Sequence, residues 1–173
     1  MEIWITADTH FNHKNIIEYC NRPFKNIDEM NETIIENWNK FINKDDVIFH
    51  LGDVGFGKFE QLKPIIDKLN GKKYLIQGNH DRLNKNYYRE LGFEWIKSKH
   101  IMILSEIKLM LLHRPPLWNN NIDNSFLYIY GHTHGKSSNT KNKIDIGTDT
   151  NNFKPYNMTD LILNYKKNGF SMI

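Results

Sequence analysis

One cysteine, Cys20, is all the chain contains. That excludes a disulfide framework and a cysteine metal site, and leaves Cys20 to be read as a small half-buried residue. A reducing cytoplasm is the expected compartment. No apolar run approaches the ~20 residues of a membrane-spanning helix. No signal peptide is expected either, because MEIWITADTH runs straight into polar residues. Blocks of like charge, internal repeats and obvious linkers are absent too. The net charge is +3 with a pI near 8.8. So mild an excess gives no nucleic-acid stripe, although anionic partners remain compatible with it.

The 173 residues are 39% hydrophobic, 13% aromatic and 25% charged, an ordinary globular composition that predicts one domain over 1–173. The first half alternates strand and helix. EIWITA, DVIFHL and KYLIQ read as strands. DEMNETIIENWNKFI carries Met30, Ile34, Trp38 and Phe41 at helical spacing. FEQLKPIIDKLN is helical with Gly71 as its stop, and Pro64 either kinks it or marks its start. RLNKNYYREL is a short helix ending at Gly92. From FEWIK onward HIMILS, IKLMLLH, FLYIYG, KIDIG, DLILNYK and GFSMI read as strands, the last two joined by a KNG hairpin. The pattern predicts βαβαβα followed by a β-meander. The fold class is therefore α/β, with two stacked sheets flanked by helices in an αββα arrangement.

The ends of the apolar runs carry the chemistry. EIWITA leads to Asp8 and His10, DVIFHL to Asp53, KYLIQ to Asn79, His80 and Asp81, IKLMLL to His113, and FLYIY to His132 and His134. Each piece alone is weak. Five in succession, each at the carboxyl end of a strand where α/β sheets bind ligands, point to one shared edge. Carboxylate, imidazole and amide without thiolate suit Mn²⁺, Fe²⁺ or Zn²⁺. Seven ligands (Asp8, His10, Asp53, Asn79, His113, His132 and His134) exceed one ion. They fit two ions about 3.5–4 Å apart, with Asp53 as the bridge. An uncharged amide at position 79 satisfies a metal without reducing the positive field that attracts a phosphate ester.

DTH, GD, GNHD, LLH and GHTH, in this order over residues 8–134, resemble the motif set of the calcineurin-like metallophosphoesterases. DTHFNHKNII, CNRPF and LWNN…YGHTHG are similar to its small uncapped bacterial and phage members. The resemblance implies a two-sheet sandwich. One metal would take Asp8, His10, Asp53 and His134, and the other Asp53, Asn79, His113 and His132. Mn²⁺ is the first expectation, with Fe, Zn or Ni as alternatives. His80 would be the general acid toward the leaving group, oriented by Asp81, while a hydroxide bridging the metals attacks phosphorus.

Asp53 is followed by VGFGK, not the Asp-Arg-Gly of the serine/threonine phosphatases, which argues against a protein phosphatase. The chain is also short for the accessory domains of nucleolytic relatives. The expected activity is a phosphodiesterase on a phosphate ester such as a nucleotide or cyclic nucleotide. A phosphomonoesterase, a nuclease and a non-catalytic scaffold of the same fold are the alternatives.

His13, Arg22, Arg114 and Trp118 are the candidates for substrate binding, from the loop after the first motif and the loop after His113. Arg82 reads as a surface charge, His50 and His100 as structural, and Asp145 and Asp149 as turn residues around Gly147.

Overall fold

The computed structural model describes residues 1–116, 122–137 and 140–168. Strands β1 (Ile3–Thr6), β2 (Val47–His50) and β3 (Lys72–Ile76) form where near-continuous apolar runs suit strands covered on both faces. They lie parallel to one another, and β4 (Phe93–Lys97) is added parallel to β3. Between them come α1 (Ile16–Tyr19), α2 (Ile27–Phe41), α3 (Phe59–Ile66) and α4 (Lys85–Leu91). Asn26 caps α2 by accepting from the Glu29 N–H at 2.9 Å, and Met30, Ile34 and Trp38 form its buried stripe. Helix α4 stops at Gly92, whose φ of +111° suits a residue without Cβ. Helix α3 contains Pro64 and ends at Ile66, short of Gly71. Pro64 forfeits the bond back to the Glu60 carbonyl, and the helix still runs two residues past it.

Alternation along the strands builds two cores. Trp4, Ile48 and Leu75 face the helices, while Ile5, Phe49 and Ile76 face a second sheet. That sheet holds β5 (Lys99–Leu104), β6 (Ile107–Leu112), β7 (Phe126–Tyr130) and β8 (Lys143–Asp145), in that order. A short β9 (Tyr156–Asn157) pairs antiparallel to β1 at the edge of the first sheet. Two sheets flanked by helices are thus present, as expected.

Two expectations fail. The second sheet is no meander: β5 and β6 form an antiparallel hairpin, but β6, β7 and β8 run parallel. Long returns over 113–125 and 131–142 make this direction accessible, since a parallel pair needs a crossover of about a dozen residues. DLILNYK is not a strand but part of helix α5 (Met158–Asn168), whose Met158, Leu161 and Ile162 bury between the sheets at helical spacing. A short Leu-Ile-Leu run fits either period. The helix continues through Lys167 and Asn168, where the hairpin was expected, and GFSMI lies outside the described residues.

Candidate metal centre

Because β1, β2 and β3 run parallel in one sheet and β6 and β7 run parallel in the other, their carboxyl ends can meet. Cross-loop bonds tie them together. Asp8 N–H donates to the Gly52 carbonyl at 2.9 Å, His10 N–H to Asp53 at 3.0 Å, and Gly131 N–H to His113 at 3.0 Å. The turns are sharp: φ is 57° at Asp8, 51° at His10, 58° at Asp53, 71° at His132 and 50° at His134. Left-handed backbone costs about 1–2 kcal/mol per residue with a Cβ, least for Asp, Asn and His. Five of the seven candidate ligands therefore sit on strained backbone, as functional residues often do.

Asp8 Oδ2 accepts the His132 N–H at 2.7 Å, while its Oδ1 is buried without a partner. His10 Nε2 is likewise buried and makes no hydrogen bond. Asp53 Oδ1 accepts the His80 N–H at 2.8 Å. Its Oδ2 lies 3.6 Å from His10 Nε2 and 3.4 Å from His113 Nε2. His113 Nδ1 sits 2.7 Å from the Leu51 carbonyl and donates its hydrogen there, which turns Nε2 toward the cluster. Nε2 lies 2.9 Å from Asn79 Oδ1. Buried acceptors turned toward one another need a positive charge between them. Ligand atoms of Asp8, His10 and His134 lie within 4.8 Å of one another, and so do those of Asp53, His113 and His132. The donor set fits two divalent cations.

Proton affinities tell the same story. Burial pushes the Asp8 carboxyl up to about 7. Burial lowers His10 to about 2, keeping its ring neutral, which is the form that ligates metal. It lowers His132 as well. Burial acts to raise Asp53 but is outweighed by hydrogen bonding and charge from His113, which hold it below the usual carboxylate range. For His113 burial acts downward and Asp53 outweighs it, so the pKa rises. For His134 burial again acts downward, and the Asp149 hydrogen bond with further contributions lifts it to about 10. Protons on His113 and His134 occupy positions a metal would take, so metal affinity should fall as pH falls.

Residues 1–148 match the calcineurin-like phosphoesterase superfamily domain. The chain belongs to this superfamily. It is 34% identical to an uncharacterized protein of Methanocaldococcus jannaschii, over 97% of this chain and 93% of that one. It is also 28% identical to the gene 66 protein of Mycobacterium phage L5, over 75% of this chain and 65% of the phage protein. A protein of unknown function from Aquifex aeolicus has the same fold, with a TM-score of 0.72 at 22% identity, covering 94% of this chain and 98% of that one. The superfamily is metal-dependent, in keeping with the clustered ligands.

Within this superfamily frame, several residues stand elsewhere than the sequence suggested. Arg22, read as a substrate ligand, has a side chain that is 0% exposed. Its Nε and Nη2 donate to Asp149 at 2.8 and 2.9 Å, Nη2 also to the Asp8 carbonyl at 2.7 Å, and Nη1 to the Thr9 carbonyl at 3.1 Å. It is a strut under the first motif. Asp81 does not reach the His80 ring through any contact seen here. Its carboxylate accepts the N–H groups of Gly78 at 2.8 Å, Asp53 at 2.8 Å and Val54 at 3.1 Å, stapling two ligand loops together. Trp118 lies outside the described residues. His13 is beside the cluster, its Nδ1 3.3 Å from His10 Nδ1. The His80 ring centre is 5.6 Å from that of His10. Arg114 is exposed, and its charge helps to depress the His132 pKa after burial and His113. His50 is structural, as expected: its Nδ1 accepts the Gly52 N–H at 3.2 Å and its Nε2 is 2.9 Å from Thr9 Oγ1.

Sequence reasoning missed Asp149, Phe56 and the placement of Cys20. Asp149 Oδ2 accepts from His134 Nδ1 at 2.7 Å. It orients the ring, so Asp149 is a positioning residue rather than a turn residue. Only its carboxylate beside a loop of ligands hinted at this. Asp145 shapes the same loop, accepting from Thr133 Oγ1, from Gly135 N–H at 2.9 Å and from Gly147 N–H at 2.8 Å. The Phe56 ring stacks on His13 at 4.0 Å. Cys20 Sγ lies within 4.8 Å of ligand atoms of His134 and Asp149, so a thiol does border the cluster. The Asp149 oxygens, however, are already taken by Arg22 and His134.

Two expected outcomes arise here. Asp149→Asn should weaken Mn²⁺ binding about 10–100-fold by calorimetry, the usual loss when a ligand's orienting partner goes. It should also lower Tm, because buried Arg22 loses its counter-charge. The second concerns Gly78, where an added Cβ would lie 2.3 Å from Asp53 Oδ1 and 2.4 Å from Asp53 N. Gly78→Ala should therefore displace the Asp53 carboxylate and reduce bound metal. Gly92→Ala is the control: nothing lies within 4 Å, so only the φ penalty of about 1 kcal/mol is expected, with metal binding intact. Equal metal content in the two variants would contradict the crowding at Gly78.

Proposed function

We propose that residues 1–173 act as one cytoplasmic domain with metal-dependent phosphodiesterase activity. The observation that carries this reading is Asp53 Oδ2, one carboxylate oxygen lying between His10 Nε2 at 3.6 Å and His113 Nε2 at 3.4 Å. One oxygen facing two sets of ligands is what a bridging role requires. Asp8, His10, Asp53 and His134 would hold one ion, and Asp53, Asn79, His113 and His132 the other. Mn²⁺ is the first choice for both, since the set lacks thiolate. When bound there, two such ions would lower the pKa of a water and neutralise charge on the phosphoryl oxygens.

The chain's own residues do the rest. Asp8 and Asp53 remove two of the four positive charges, and Asn79 removes none, so the site keeps an attraction for an anion. His80 stands at the margin of the cluster, where it can donate a proton to the departing ester oxygen. His13 and Arg114 border the cluster and would contact the phosphate or its substituents. With Arg22 committed to Asp149, the site has one cation fewer for a dianion, which favours a monoanionic diester over a monoester. The presence of every ligand and of His80 supports an enzyme over a scaffold.

The test is paired hydrolysis of bis-nitrophenyl and mono-nitrophenyl phosphate by protein stripped with chelator and then supplied with Mn²⁺. Faster turnover of the diester, dependent on metal, is expected. Turnover of neither would leave the scaffold reading in place.

A further inference from the structure

A cleft of about 260 Å³ adjoins His80, and none of the seven candidate ligands lines it. Phe56, Leu62, Leu83 and Tyr88 line it together with Arg82 and the backbone of Gly55 and Gly57. Leu62 and Tyr88 are 2% and 3% exposed and anchor the walls, whereas Leu83 stands 43% exposed. Phe56 is the partition. Its ring stacks on His13 at 4.0 Å and lies 5.1 Å from the His80 ring and 5.9 Å from the His10 ring. One aromatic side chain thus borders both the imidazole cluster and the cleft. Arg82 is exposed and donates through Nε to the Asn79 carbonyl at 3.2 Å. Its guanidinium supplies a cation at the rim of a cleft whose lining mixes apolar side chains with glycine backbone and the His80 side.

We propose that this cleft is the leaving-group subsite and takes a planar aromatic alcohol with an acceptor or anionic edge. The proposal rests on the phosphodiesterase reading, in which His80 meets the departing oxygen. In that step the oxygen of water bonds to phosphorus and one of its protons passes to solvent. The P–O bond to the leaving group breaks with its electron pair, and His80 supplies the proton that makes the free alcohol and regains one from solvent. The group that departs must then lie on the His80 side, and this cleft is the concave surface His80 lines. A cavity of about 150 Å³ holds a benzene ring, so the volume here suits one ring with a substituent or a fused bicycle. Flat rings gain from burial against Phe56 and Leu83. Arg82 would pair with a carboxylate or carbonyl on the ring.

Calorimetry on the Mn²⁺-loaded chain with ethyl, phenyl and 4-carboxyphenyl methylphosphonate tests this. Phenyl should bind about tenfold more tightly than ethyl, and 4-carboxyphenyl tighter again. Leu83→Ser should move the phenyl-to-ethyl ratio toward one. Arg82→Gln should remove the added preference for the carboxylated ring while keeping that for phenyl. Equal affinities in the unmodified chain, no binding of any probe, or a ratio unmoved by Leu83→Ser would overturn the subsite. The ring preference together with absent diester hydrolysis would keep the cleft as a ring-binding site and refute the activity. Hydrolysis without ring preference would do the reverse.

Discussion

Asp53→Ala is expected to remove at least one of two bound metal ions and to lower diester turnover by about 10³ or more. Asp53 has a second oxygen that faces ring nitrogens from both ligand groups, His10 at 3.6 Å and His113 at 3.4 Å. Without it four imidazoles, Asn79 and Asp8 remain, and the charge opposing two divalent ions is halved. Metal-supplied stabilisation of a phosphoryl transition state is worth several kcal/mol, and each ~1.4 kcal/mol is tenfold in rate. Metal-to-protein ratio by atomic spectroscopy after exhaustive dialysis checks the first part. Retention of two ions would remove Asp53 from the bridge. Asp81→Ala is the comparison that separates ligation from loop geometry. Its carboxylate touches three backbone N–H groups and none of the ligand side chains in the contacts described. It should lower Tm more than it lowers metal content.

The second large effect is expected at His80. His80→Ala should slow hydrolysis of alkyl phosphodiesters by about 10²–10⁴, the usual contribution of a general acid. It should slow esters of nitrophenol far less, since nitrophenolate departs without a proton. Bound metal should be unchanged, because the His80 backbone N–H, which donates to Asp53 Oδ1 at 2.8 Å, survives the substitution. Rates for paired alkyl and nitrophenyl diesters, taken at saturating Mn²⁺, give the comparison directly. A uniform loss across leaving groups would make His80 a binding residue and not an acid.

Much of the frame is legible along the chain. Met30, Ile34 and Trp38 announce α2 by their spacing, and Gly92 announces the end of α4, because both follow from local backbone geometry. The ligand positions are legible for a similar reason: each sits just past an apolar run, and such runs are strands. Other features are not local. The pairing of Arg22 with Asp149 spans 127 positions, and nothing near either residue distinguishes a strut from a substrate ligand. Asp81 directly follows His80, which suggests contact with that ring, yet its carboxylate turns to the backbone of another loop. Leu161 and Ile162 fit a strand or a helix equally until the space between the sheets selects one.

The amino-acid sequence by itself determined which residues could bind metal and at which strand ends they stand, because residue type and strand periodicity are local properties. Only the tertiary structure decided that β6 and β7 run the same way, which brings His113 and His132 to one edge, their ring centres 5.0 Å apart. Strand direction depends on how a connection crosses the sheet, and a buried charge takes its partner from whatever that crossing places beside it.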